Sequence, residues 1–232
     1  MWRPEDLDTQ AQRFALQTAD LLNTTVAHGV EISAVRTIAG RAVMGSGVTA
    51  TSIVPQPIPI GLEGSRPQVF LYLVHTYELD PEGVYLTMGS STLSLYTSPR
   101  MADDELIVAI DYVRQPVNRY PACHLHVAGH RHDLDQLYLG IARHPRTLRD
   151  LHLPVGGRRF RPTLEDLIEF MVTEEMVIPR PQWRSVIDLH RAEWESTQAK
   201  AAVRRSQEDA ARALREAGWI VRPPGSEDWS SG

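Results

Sequence analysis

The sequence predicts an α+β fold: a mostly antiparallel meander sheet with one N-terminal helix and C-terminal helices. Residues 30–113 run through short β-branched and aromatic stretches broken by glycine, proline and acidic turns, with no helices between them. Closely spaced strands without crossovers pair antiparallel, as a meander sheet or half-barrel. Sustained helical spacing of apolar residues is confined to the segments before residue 29 and after residue 163. At 232 residues, 42% hydrophobic and 23% charged, the chain is long enough for one large domain with appendages.

Residues Pro4 to His28 read as the first helix, with Leu7, Ala11, Phe14, Leu21 or Leu22 and Val26 near one face. Pro4 suits the first turn, Glu5, Asp6 and Asp8 suit the N-terminal dipole, and Gly29 is the expected stop. VEISAVRTI and GVTATSIVP read as strands, and the prolines of PQPIPIG restrict it to an edge strand or connector. QVFLYLVHTYEL is the strongest strand. LDPEG turns the chain, VYLTM and STLSLYT continue the meander, and ELIVAIDYV follows the acidic loop MADDE.

DLDQLYLGIARHPRTLRD reads as irregular or short-helical, and LHLPVGGRRFRPT as a strand-like piece with a Pro-Val-Gly-Gly turn. Thr163 and Asp166 form a capping box for TLEDLIEFMVTEEM, whose Leu164, Leu167, Ile168 and Met171 share a face. After PRPQ, Trp183 to Arg205 reads as a long polar helix with a stripe of Trp183, Val186, Ile187, Trp194 and Ala201. Ser206 with Asp209 opens a shorter helix to Ala217, ended by Gly218. The expected division is an α+β domain over 1–178, a helical extension over 179–222 and a disordered tail over 223–232.

Chemistry concentrates in Arg114–His132. This stretch holds four of the nine histidines (His124, His126, His130, His132), the single cysteine Cys123 and a Tyr-Pro break. On a strand, His124 and His126 share a face that Cys123, Leu125 and Val127 do not. A hairpin with Leu106–Val113 centred between Val117 and Asn118 places Asp111 opposite His124, so Asp111, His124 and His126 share that face. A one-residue slip would send Asp111 to the other side. A carboxylate beside two imidazoles orients them, raises their basicity or binds a metal with them.

Composition narrows the chemistry. Lys200 is the only lysine among 24 lysines and arginines and lies in an Ala-rich helical stretch, the wrong context for Schiff-base chemistry or a P-loop. Net charge is -5, yet Arg131 to Arg161 carries seven arginines against three aspartates, a basic patch suited to phosphate or to a solvated loop. One cysteine cannot form an internal disulfide, the acidic N-terminus is no signal peptide, and no apolar run would span a bilayer, so a soluble cytoplasmic protein is expected.

Three readings of the histidines stand. The first is a metal site, with His124 and His126 ligating a divalent ion and Asp111 or His130 completing the set. The second is metal-free acid–base chemistry on a phosphodiester, with Arg158, Arg159 and Arg161 gripping the phosphate as forks. The third gives the histidines a purely structural role. GSGVT and MGSST supply no nucleophile elbow, and Cys123 and His124 diverge as strand neighbours. The loop Asp103, Asp104 and Glu105 suits a solvated turn better than a metal corner. GRAVMGSG and PVGGRR lack the strand–loop–helix phosphate fingerprint, and a cupin reading fails because no glutamate follows His124-Leu-His126 at the needed spacing.

A strand with Asp-Tyr, then Tyr-Pro-x-x-His-Leu-His, then Leu-Pro, then an acidic LEDLIEF helix resembles TumE-like proteins of bacterial toxin–antitoxin modules. Asp111, Tyr112, His124, His126, Pro154, Leu167 and Phe170 carry the likeness, over about Glu105 to Val172; the N-terminal portion and C-terminal helices depart from it. The resemblance implies a small antiparallel sheet with packed helices and a toxin or phage-defence role on RNA. The leading expectation is therefore a metal-independent ribonuclease with His124 and His126 catalytic and Asp111 orienting. The alternatives are a divalent-metal protein using the same pair and a non-enzymatic module. In either role, helices 4–28 and 183–217 are expected to bind an antitoxin or other protein partner.

Overall fold

The computed structural model describes residues 5–117, 120–129, 153–156 and 161–222. The fold is α+β: an N-terminal helix, an antiparallel sheet and C-terminal helices. The expectations for Arg158, Arg159, His130, His132, the segment 133–150 and the tail 223–232 lie outside the described residues.

Helix α1 spans Leu7–Thr25. It begins three residues later than the proline suggested, because the Asp6 carboxylate accepts from Thr9 N–H at 2.8 Å and so caps the first turn. It ends before Gly29, where Asn23 bridges both the N–H and the C=O of Val30. Leu7, Ala11, Ala15, Leu21 and Leu22 are buried on one stripe, as helical spacing demands.

Eight strands follow among the described residues: β1 Ser33–Arg36, β2 Ala42–Gly45, β3 Ile58–Ile60, β4 Val69–Leu79, β5 Leu86–Tyr96, β6 Leu106–Val113, β7 Cys123–Val127 and β8 Leu153–Pro154. All pairings are antiparallel, in the order β1-β2-β4-β5-β6-β7-β8. The proline-bearing β3 pairs only with β4, beside Val69–Leu71, while β2 pairs with Val74–Tyr77 of the same strand. VYLTM and STLSLYT merge into the single strand β5.

Two expectations change here. GVTATSIVP is a tight turn held by reciprocal Thr49–Ser52 backbone bonds, not a strand. The glycine-rich GRAVMGSG instead supplies β2. Gly45 is required at its end because a Cβ there would lie 2.8 Å from Leu73 O and 2.5 Å from Pro55 Cγ.

Register sorts the sheet into two faces. Leu71–Leu95 and Leu73–Leu93–Ile110–Leu125 line the face that packs against α1 in the main core. Helix α2, Leu164–Thr173, adds Leu164, Leu167, Ile168 and Met171 to that core. Its Thr163–Asp166 capping box forms as read. The Arg180 N–H donates to Thr25 O and its guanidinium to Asn23 O and Ala27 O, which ties the following segment to the end of α1.

Helix α3, Trp183–Arg205, and helix α4, Gln207–Glu216, complete the described chain. The first compact unit runs to Asp188; the fully buried Ile187 belongs to its core and Arg180 is hydrogen-bonded to the end of α1. The second unit, from Leu189 on, contains most of α3 and all of α4. Ser206 precedes α4 without a side-chain capping bond, and Gly218 takes a positive φ of 88° just after the helix, as the stop predicts. No helix among the described residues is long and apolar enough to cross a membrane.

Candidate metal centre

The sheet face turned away from α1 carries the histidines. Across it, Val74–Thr92–Asp111–His124 and Tyr72–Ser94–Ala109–His126 form two cross-strand rows. The hairpin register is the one required by a turn centred at Val117–Asn118: Asp111 lies opposite His124. Asp111, His124 and His126 therefore meet on one face, although they are as many as 15 residues apart in sequence.

One donor atom from each of the three residues lies within 4.8 Å of the others, and this is the one such group of His, Cys, Asp or Glu among the described residues. Asp111 Oδ2 is 3.4 Å from His126 Nε2. The two imidazoles meet edge to face with centroids 5.0 Å apart. His124 is buried, whereas Asp111 and His126 keep partial exposure, so the cluster is reachable from outside.

Each orienting contact has a local cause. Thr92 Oγ1, directly across from Asp111, donates to Asp111 Oδ1 at 2.6 Å, a charge-assisted bond worth about 1.5–3 kcal/mol. It leaves Oδ2 turned toward His126. Pro121 ends the turn before β7, and its carbonyl lies 3.0 Å from His124 Nδ1. An Nδ1–H donated there leaves Nε2 as the nitrogen that can ligate an ion or accept a proton. Tyr120 tilts over His124 with centroids 6.2 Å apart. Thr92 and Pro121 were not singled out from sequence; strand alternation through STLSLYT and the Tyr-Pro break were the available signals.

Arg161, read as one of the phosphate forks, lies on the opposite side of the sheet from the histidines. Its guanidinium stacks 4.5 Å from the centroid of Tyr112, and Tyr112 alternates with Asp111 along β6. The side chain is partly buried rather than on an exposed turn, and desolvation lowers the guanidinium pKa from its ordinary value. Cys123 also faces that side: it pairs with Tyr112, is buried, and its thiol pKa is pushed up to about 11 by desolvation, so it cannot share a dyad with His124.

Glu105 of the acidic loop accepts from Ala102 N–H at 3.0 Å and pairs with Arg100. The loop is a capped 3₁₀ turn rather than a metal corner. Comparisons with family models, curated proteins and solved structures find no match for this chain.

Proposed function

We propose that this chain is a metal-assisted phosphodiesterase acting on RNA, a toxin–antitoxin or phage-defence component whose Asp111, His124 and His126 hold one divalent transition ion. The carrying observation is the spacing of the three donor atoms, all within 4.8 Å of one another. Two ligands about 2.0–2.1 Å from a tetrahedral ion sit about 3.3 Å apart, and Asp111 Oδ2 and His126 Nε2 are 3.4 Å apart. Two acid–base groups flanking a phosphate would each need a reach of about 3 Å on either side of it, hence about 6 Å or more between them. The cluster is too tight for that division of labour and suits one shared ion.

The orienting contacts support the same reading. Ligating histidines donate their other N–H to a carbonyl or carboxylate, and ligating carboxylates are themselves hydrogen-bonded; Pro121 O and Thr92 Oγ1 occupy those roles. Two imidazoles and one carboxylate leave coordination positions for water and substrate, and such an ion brings a bound water's pKa down to about 7. Substrate class and biological role rest on the toxin–antitoxin resemblance.

The test is cleavage of single-stranded RNA by purified protein. Chelation should abolish it and one added divalent ion restore it. Cleavage undiminished by chelator would return the site to metal-free acid–base chemistry, and no cleavage under any metal condition would remove the ribonuclease reading.

A second reading has its own observation. In the second unit Leu189, Val203, Leu214, Trp219 and Ile220 are exposed, and α4 buries no residue, a surface suited to a protein partner. Helix α1 is the weaker candidate because its apolar stripe is spent on the core. Leu214→Glu with Trp219→Ser should break capture of an antitoxin; unchanged capture would clear this surface.

A further inference from the structure

The α1-facing side of the sheet holds a second polar group that the proposed centre does not use. His75, Ser91, Tyr112 and Cys123 pair in register on β4, β5, β6 and β7, and all four are buried. The adjacent row, Leu73–Leu93–Ile110–Leu125, is wholly aliphatic. Tyr77, next on the same face of β4, stacks on His75 with the rings 5.9 Å apart and within 6° of parallel. Phe14 of α1 meets both rings edge-on.

Neither nitrogen of His75 nor the hydroxyl of Tyr77 has a hydrogen-bond partner among the described residues. His75 is 7% exposed and Tyr77 3%, so bulk water does not satisfy them. Native proteins keep few such orphans, and those they keep call for an explanation. Arg161 supplies positive potential: its charge acts on His75, Tyr77 and Cys123 and its Nη2 lies 3.5 Å from Met88 Sδ. Arg114 Nε donates to Met88 O at 3.0 Å and repels Arg161. Burial holds His75 neutral, with its pKa at about 3, and keeps Tyr77 protonated.

We propose that His75 and Tyr77, within the field of the Arg161 guanidinium that stacks on Tyr112 of the same face, bind a small oxyanion group, a phosphate or a carboxylate. The Tyr77 O–H and one His75 N–H donate to it, and the guanidinium field sets the sign of charge.

The test uses the full chain carrying His124→Ala and His126→Ala, so that no anion is held through a metal. Melting temperature is followed against inorganic phosphate and, separately, acetate, with chloride at matched ionic strength. A saturable rise with either oxyanion, beyond any seen with chloride, is expected. His75→Phe and Tyr77→Phe keep ring shape, and each should lose at least ~10-fold in anion affinity, as removal of a donor to a charged group does. Should either variant fail to fold, the imidazole resonances of His75 in the parent chain must shift with phosphate. No shift beyond chloride, or equal anion response in both phenylalanine variants, overturns the proposal and leaves the orphan atoms to buried water.

Discussion

One face of the sheet is mostly aliphatic and packs under α1, whereas the other gathers the three candidate ligands. Leu71, Leu73, Leu93 and Leu95 are sealed beneath α1, whereas Thr92, Asp111 and His126, on the same strands or their neighbours, keep partial exposure. The difference arises from period-two alternation alone. It teaches that a single register choice both builds the core and gathers Asp111, His124 and His126; a slip of one residue would destroy both.

The largest expected effect breaks the chemical face alone. His124→Ala with His126→Ala should reduce RNA cleavage and ion binding to background, while costing stability only about 1 kcal/mol per site. Urea unfolding beside the cleavage assay checks the separation; a variant that unfolds would merge the two faces. Next, Leu73→Ala breaks the packed face and should cost about 2–5 kcal/mol, with ion affinity of the folded fraction unchanged, measured by titration at low temperature.

A pH series sharpens the comparison. The imidazole of His75 has its folded pKa lowered to about 3 from 6.5, first by desolvation and then by Arg161. The unfolded chain therefore binds the extra proton between those values. Its contribution is fully present above pH 6.5 and is lost as pH falls toward 3, at up to about 1.4 kcal/mol per unit. His75→Phe should flatten that part of the stability–pH curve; an unchanged slope would place the acid sensitivity elsewhere.

The smallest effect is Thr92→Val, which removes the hydroxyl holding Asp111. Ion affinity should fall about 10–100-fold with stability nearly unchanged. Equal affinity, measured by calorimetry, would mean that Asp111 needs no such support.

The contacts that local pattern reaches were legible. A turn between two alternating strands fixes the Asp111–His124 pair, and the Thr163–Asp166 box fixes the start of α2. β2 was hidden because glycine reads as a loop, whereas Gly45 is needed for the close approach of Leu73 O and Pro55. Arg161 read as a surface arginine, since its stack on Tyr112 joins residues 49 positions apart. His75 was legible in principle, because alternation through VFLYLVHTYEL places it among the buried set with Leu73 and Tyr77.

The most direct measurement is metal stoichiometry by plasma mass spectrometry, after the purified chain is equilibrated with Zn²⁺ or Co²⁺ and desalted. The account predicts one retained ion per chain, none in the His124→Ala, His126→Ala variant and weakened retention in Asp111→Asn. A chain that retains no ion, or a double variant that retains as much as its parent, contradicts it.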